Sequence, residues 1–168
     1  MARKPRIVAG QTVLPGVGRL AKKRTDTPGQ KRQTPEADEQ AALIRWARLW
    51  ANHGTHPIPA LALLHSSLNG VRLTPSQASK AKAGGMVAGV WDLFLPVPQP
   101  CVCGLWLEMK SGRGRLSPEQ AAFRAAAGDK YCWAVCRTWH FAAVVILQYM
   151  GTPRTHPAWS GLEATDGH

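Results

Sequence analysis

The stretch LEMKSGRGRLSPEQ, Leu107–Gln120, decides how the chain is read. It sets a carboxylate and an ammonium two residues apart on an apolar run, then a Gly/Arg loop, then a helix-start signal. Strand side chains alternate faces, so Glu108 and Lys110 share one face while Leu105, Leu107 and Met109 share the other. A pair placed this way serves either as a surface ion pair or as part of an active site. Ser117-Pro118-Glu119-Gln120 has the S-x-x-Q form of a capping box with proline at the first helical position, and predicts a helix to about Gly128.

Working outward, the run MVAGVWDLFLPV before this stretch predicts a strand ending at Pro96, antiparallel to GLWLEMK. Thr74, Pro75 and Gly84-Gly85 bracket a short basic helix, and ALALLHSSL between Pro59 and Asn69-Gly70 predicts a short strand. Further upstream, Thr34-Pro35 opens a helix over EADEQAALIRWARLWAN, whose Leu43, Ile44, Ala47 and Trp50 follow the helical period. Downstream, YCWAVCR predicts a buried strand, Thr138 caps a last helix ending before Gly151, and residues 152–168 are expected to be a loose end. The order α, β, α, β, β, α, β, α describes an α/β fold with a small mixed sheet flanked by helices.

The chain has 168 residues and a net charge of +11, which suits one domain with tails. Residues 1–35 hold nine Lys or Arg against one Asp, and few large apolar side chains. The expectation is a basic arm over 1–34 that does not order itself, acting as a phosphate-seeking segment or as a solubilising tail. A folded domain over 35–150 and a C-terminal tail over 151–168 complete the division. Four cysteines are too few for a disulfide scaffold, and no sustained apolar region follows Arg3, Lys4 and Arg6, so a reducing, cytoplasmic setting is expected. The longest apolar run, FAAVVILQYM, is half of the roughly 20 residues a membrane span needs, and no membrane partner is expected.

Acidic residues are scarce, so their positions are informative. Asp92 interrupts an apolar stretch, where a carboxylate is costly unless it is paired or holds a metal. If the strands bearing Asp92 and Glu108 form a hairpin, two carboxylates approach each other and suit a hard cation such as Mg²⁺ or Mn²⁺. Lys110 would then balance charge on a phosphate. The alternative, a partly buried Glu/Lys pair with Asp92 at a strand end, stays open on spacing alone. Arg113 and Arg115 in the loop, with Lys80 and Lys82 on the short basic helix, are candidate phosphate contacts or else solvated charges. The pairs Cys101/Cys103 and Cys132/Cys136 are a conceivable zinc set but read better as ordinary thiols, and the histidines show no ligand spacing. Five tryptophans, Trp46, Trp50, Trp106, Trp133 and Trp139, are expected in the core rather than as base-stacking platforms.

Taken in order, PEADEQAALIRWARL, LNG, GVWDLFLPV, GLWLEMKSGRGRLSPEQ and YCWAVCRTWHFAAVVI resemble the virus-type replication-repair nuclease domain (VRR-NUC) of the PD-(D/E)xK superfamily, and most of all its stand-alone bacteriophage versions. The resemblance covers residues 35–150 and implies a restriction-endonuclease-like core. It implies that Asp92 and Glu108, with Glu36, hold Mg²⁺ or Mn²⁺, and that Lys110 is the catalytic lysine. Gln120 matches a glutamine beside the site, and Glu36 is preferred to Glu39 because Gln40 follows it by four residues. Asn69 and Gly70 match an Asn-Gly element, and Gly85 and Gly89 match glycines leading to the aspartate. Trp91 departs from the pattern, since many relatives have proline there. The activity implied is metal-dependent DNA phosphodiester hydrolysis, on branched substrates such as Holliday junctions or flaps, by a homodimer in the host cytoplasm alongside replication or recombination proteins. The alternative is a nucleic-acid-binding accessory protein with a nuclease-like fold.

Overall fold

The computed structural model describes residues 35–67 and 73–162. The basic arm, the proposed Thr34 cap, Asn69, Gly70 and residues 163–168 lie outside them. Four α-helices, α1 (Pro35–Ala51), α2 (Pro75–Ala83), α3 (Pro118–Ala127) and α4 (Trp139–Tyr149), accompany a sheet of β1 (His65–Ser66), β2 (Leu93–Leu95), β3 (Leu105–Met109) and β4 (Cys132–Cys136). The strands lie in the order β1-β2-β3-β4; the first two pairings are antiparallel and β3-β4 is parallel. This is the small mixed α/β sheet expected from the order of elements.

The two faces of the sheet differ. Leu93 pairs with Leu107, Leu95 with Leu105, and Leu105, Leu107 and Met109 with Cys132, Ala134 and Cys136, so these side chains share one face. Here the sheet buries its leucines with Leu43, Trp46 and Ala47 of α1 and Ala142, Ala143, Ile146 and Leu147 of α4 in one core. The burial removes apolar surface from water and is the main force holding the helices to the sheet. On the other face Phe94, Trp106 and Trp133 stand side by side, with Phe94 and Trp106 stacked at 4.3 Å and Trp106 and Trp133 at 6.0 Å. Phe123 of α3 meets both tryptophans edge-on. The aromatic face is therefore a second, smaller core beneath α3.

Four expectations are corrected. ALALLHSSL is a 3-10 helix at Pro59–Leu63 followed by a two-residue strand. Proline at its first positions and burial of Leu61 and Leu64, three apart, with Leu63 half exposed, mark a helical rather than an alternating pattern. The segment before Asp92 is irregular, and only Leu93–Leu95 is strand, because Gly85 and Gly89 take φ of +92° and +79°, which interrupts any extended run. β4 is an edge strand, half-buried over most of its length, with Val135 exposed. Residues 152–162 are not loose: Ala158 and Leu162 enter the main core through a 3-10 turn at Pro157–Trp159.

Trp46 is buried and Trp50, Trp106, Trp133 and Trp139 are half-buried, in keeping with core roles. Among the described residues no helix is long and apolar enough to cross a membrane.

Candidate active site

β2 and β3 carry the site because their antiparallel register brings Asp92, just before β2, opposite Glu108 in β3. The two carboxylates lock the strands reciprocally. The Asp92 amide donates to Glu108 Oε2 at 3.2 Å, and the Met109 amide donates to Asp92 Oδ2 at 2.9 Å. Glu108 is 1% exposed, the one buried charged residue among those described. A carboxylate that deep needs partners, and it has them: Lys110 Nζ lies 2.6 Å from Oε1, and Gln120 Nε2 donates to the same oxygen at 2.5 Å. The alternation of faces holds, but Glu108 points into a walled cleft rather than into solvent.

Gln120 comes from α3. Its backbone amide donates to Ser117 Oγ at 3.2 Å and its Oε1 accepts from the Ser117 amide at 2.9 Å, which is the capping box read from the sequence. The amide NH₂ that the cap leaves over reaches Glu108. Gly89 brings the chain against α3 so closely that a Cβ there would lie 2.2 Å from the Glu119 carbonyl oxygen.

Glu36, in the first turn of α1, accepts from Ser111 at both the amide (2.9 Å) and the hydroxyl (3.2 Å). This ties α1 to the residue after Lys110. Glu36, Asp92, Glu108, Lys110 and Gln120 thus line one cavity of about 440 Å³. Glu39 does not line it; Glu39 accepts from the Trp139 amide at 2.6 Å, at the start of α4, and lines a smaller cavity beside Glu36 and Lys110. Gln40 is half-buried on α1, and the residues lining the cavity do not include it. Arg113, Arg115, Lys80 and Lys82 are exposed. Arg137, which the sequence did not single out, donates to the Gly112 carbonyl and lines a smaller cavity that shares Glu36 and Lys110 with the first. Its only sequence signal was its position at the end of β4, beside the loop after Lys110.

The charge in the cleft is unbalanced. Burial, and then the Glu108 carboxylate, push Asp92 up to about 6 despite the Met109 amide and the Lys110 ammonium. Among the described residues no three carboxylate, thiol or imidazole groups converge closely enough to cage a metal. What does converge is a pair of carboxylates with surplus negative charge beside one lysine, in an open cleft. That donor set fits a hard divalent cation, which is commonly held by one or two carboxylates and keeps several waters.

His53 and His156 meet the Trp50 ring and His56 meets both of them, a grouping their spacing in sequence did not suggest. The Nδ1 atoms of His53 and His156 accept the amides of His56 and Ala158, so these rings serve local turns. Cys101 and Cys103 are exposed, and Cys136 is buried with its thiol pushed up to about 12 by burial.

No protein-family model and no curated protein matches the sequence. A solved structure described as a "VRR_NUC domain protein" is similar to this chain with a TM-score of 0.55 at 24% sequence identity, over 72% of this chain and 92% of that one. The likeness is one of fold, and it covers nearly the whole of that domain.

Proposed function

We propose that the chain is a divalent-metal-dependent nuclease that hydrolyses phosphodiester bonds in DNA. The observation that carries this is the convergence of Asp92, Glu108, Lys110 and Gln120 in one cavity, on a fold shared with a VRR_NUC domain protein. A protein that only bound nucleic acid would gain nothing from two adjacent carboxylates, one buried and one half-buried, set where phosphates would lie.

In this proposal Asp92 and Glu108 hold Mg²⁺ or Mn²⁺, with Glu36 at the margin. When bound, such an ion supplies Lewis acidity and lowers the pKa of water toward neutrality. The remaining work falls to the chain. Gln120 and Lys110 both grip Glu108 Oε1, so its carboxylate is fixed before substrate arrives. Lys110 puts a positive charge and a transferable proton beside the cleft, where a phosphate develops charge as the water oxygen bonds to phosphorus and the ester oxygen leaves. Glu36 holds Ser111, and with it the loop on which Arg113 and Arg115 offer backbone contacts of no sequence preference. Lys80, Lys82 and the arm at 1–34 extend that contact.

The finer reading is a stand-alone phage-type enzyme acting on branched DNA as a homodimer in the host cytoplasm, with replication or recombination proteins as partners. Its support is the motif order, since symmetric pairing would set two sites across a junction.

The test is incubation with labelled single-stranded, duplex, flap and four-way DNA in Mg²⁺ or Mn²⁺, beside Glu108→Ala and Lys110→Ala. Cleavage by the wild type that each variant loses by at least about 100-fold is expected. Wild type that binds these DNAs and cuts none of them is the accessory binding protein instead.

A further inference from the structure

We propose that Trp91 is a positioning residue that holds Gln120 onto Glu108. The inference deepens the nuclease reading, on which its activity measurement rests. Trp91 does not line the cavity and is fully buried. Its ring meets Trp133 edge-on at 4.9 Å, and its indole Nε1–H donates to the backbone carbonyl of Gln120 at 3.2 Å. A buried indole N–H requires an acceptor. Here the acceptor belongs to the residue whose side chain grips Glu108 Oε1 at 2.5 Å.

The route from Trp91 to the carboxylate is short and continuous. Gly89 admits the first turn of α3 to van der Waals range, and the indole two residues on then fastens that turn. The capping box uses Gln120 Oε1, which leaves Nε2 free to swing unless the backbone beneath it is fixed. α3 has no fully buried residue of its own, and besides the indole its seat on the sheet is Phe123, half-buried against Trp106 and Trp133 one turn further on. Proline at position 91 would offer neither an aromatic ring nor a donor. Tryptophan next to the aspartate is therefore this chain's own means of seating α3 beside Glu108.

Trp91→Phe keeps an aromatic ring against Trp133 and removes the donor together with part of the buried ring volume. In ¹⁵N-labelled protein free of metal and DNA, the Gln120 side-chain NH₂ resonances should move and exchange faster with solvent, while the backbone amides of β3 stay in place. In the unaltered protein the Trp91 indole proton should be protected from exchange, a measurement that survives if the variant does not fold. Cleavage by Trp91→Phe should fall about tenfold, the rate equivalent of one hydrogen bond, and Trp91→Phe/Gln120→Ala should be no slower than Gln120→Ala alone. Unmoved Gln120 resonances, a freely exchanging indole, or a loss that multiplies with that of Gln120→Ala would reduce Trp91 to ordinary core. If the wild type cuts nothing while the resonances still move, the positioning role stands and the nuclease reading falls.

Discussion

Helices α2 and α3 begin with the same device and end in different roles. Thr74-Pro75-Ser76-Gln77 and Ser117-Pro118-Glu119-Gln120 are both complete capping boxes, with hydroxyl to amide at 3.3 and 3.2 Å and glutamine to N-cap amide at 2.9 Å in each. Gln77 is exposed, whereas Gln120 lines the cavity and donates to Glu108. Local sequence therefore sets the cap but not its use. The difference lies in what docks each helix: neither has a fully buried residue, but α3 is met by Gly89, Trp91 and the aromatic face.

Swapping both glutamines for alanine sets the two helices apart most widely. Under the proposed nuclease function, Gln120→Ala should lower cleavage about 10- to 100-fold, the usual cost of losing a partner that orients a metal-binding carboxylate, and Gln77→Ala should leave it within about twofold. Both lose the same reciprocal cap, so equal rates in the two variants would mean that Gln120 is only a cap. Next come the glycines. Gly85 and Gly89 both have positive φ, so alanine strains either one, but a Cβ at Gly85 meets open space and one at Gly89 meets the Glu119 backbone. Gly85→Ala should cost about 1 kcal/mol and Gly89→Ala at least about 2, read from urea midpoints. A Gly89→Ala protein as stable as Gly85→Ala would show that α3 moves freely away from the loop.

A smaller effect separates the helices by pH, because α2 has no acidic residue and α3 sits over the carboxylates. Asp92 is raised to about 6 from 3.8, so the native state holds its proton more tightly than the unfolded chain. The stability it contributes is complete below about 3.8 and is lost as pH rises through about 6. In chelator-treated buffer, Asp92→Asn keeps an acceptor for the Met109 amide and should exceed wild type by about 1.5 kcal/mol at pH 8, with the shift discounted for solvent access, and match it near pH 4. Parallel stability curves for the two proteins from pH 4 to 8 would place the strain elsewhere.

Much of this was legible in the sequence because it is local. The Ser117 and Thr74 caps, the β2-β3 pairing and the facing of Glu108 away from Leu107 follow from spacing and strand alternation. What escaped depends on contacts between distant residues. Glu39 binds the Trp139 amide one hundred positions away, and no periodicity signals that choice. The segment before Asp92 reads as strand by composition, yet the close approach at Gly89 and the indole at Trp91 set its course. Residues 152–168 read as a loose end, but Ala158 and Leu162 join a core that α1, α4 and the sheet build together.

The finest distinction between the helices concerns the caps themselves. Removing an N-cap hydroxyl costs about 1 kcal/mol of helix stability wherever it stands. In α2 that loss has no buried side chain to carry it further, so Thr74→Ala should appear as faster hydrogen exchange within Pro75–Ala83 and leave the global urea midpoint unchanged. In α3 the same loss loosens the turn that Trp91 fastens, and Phe123 transmits it to Trp106 and Trp133. Ser117→Ala should therefore lower global stability by about 1 kcal/mol, read from the urea midpoint, as well as speed exchange in α3. If both variants merely fray their own helix, α3 is no better seated than α2, and the grip of Gln120 on Glu108 must be made by the side chain alone.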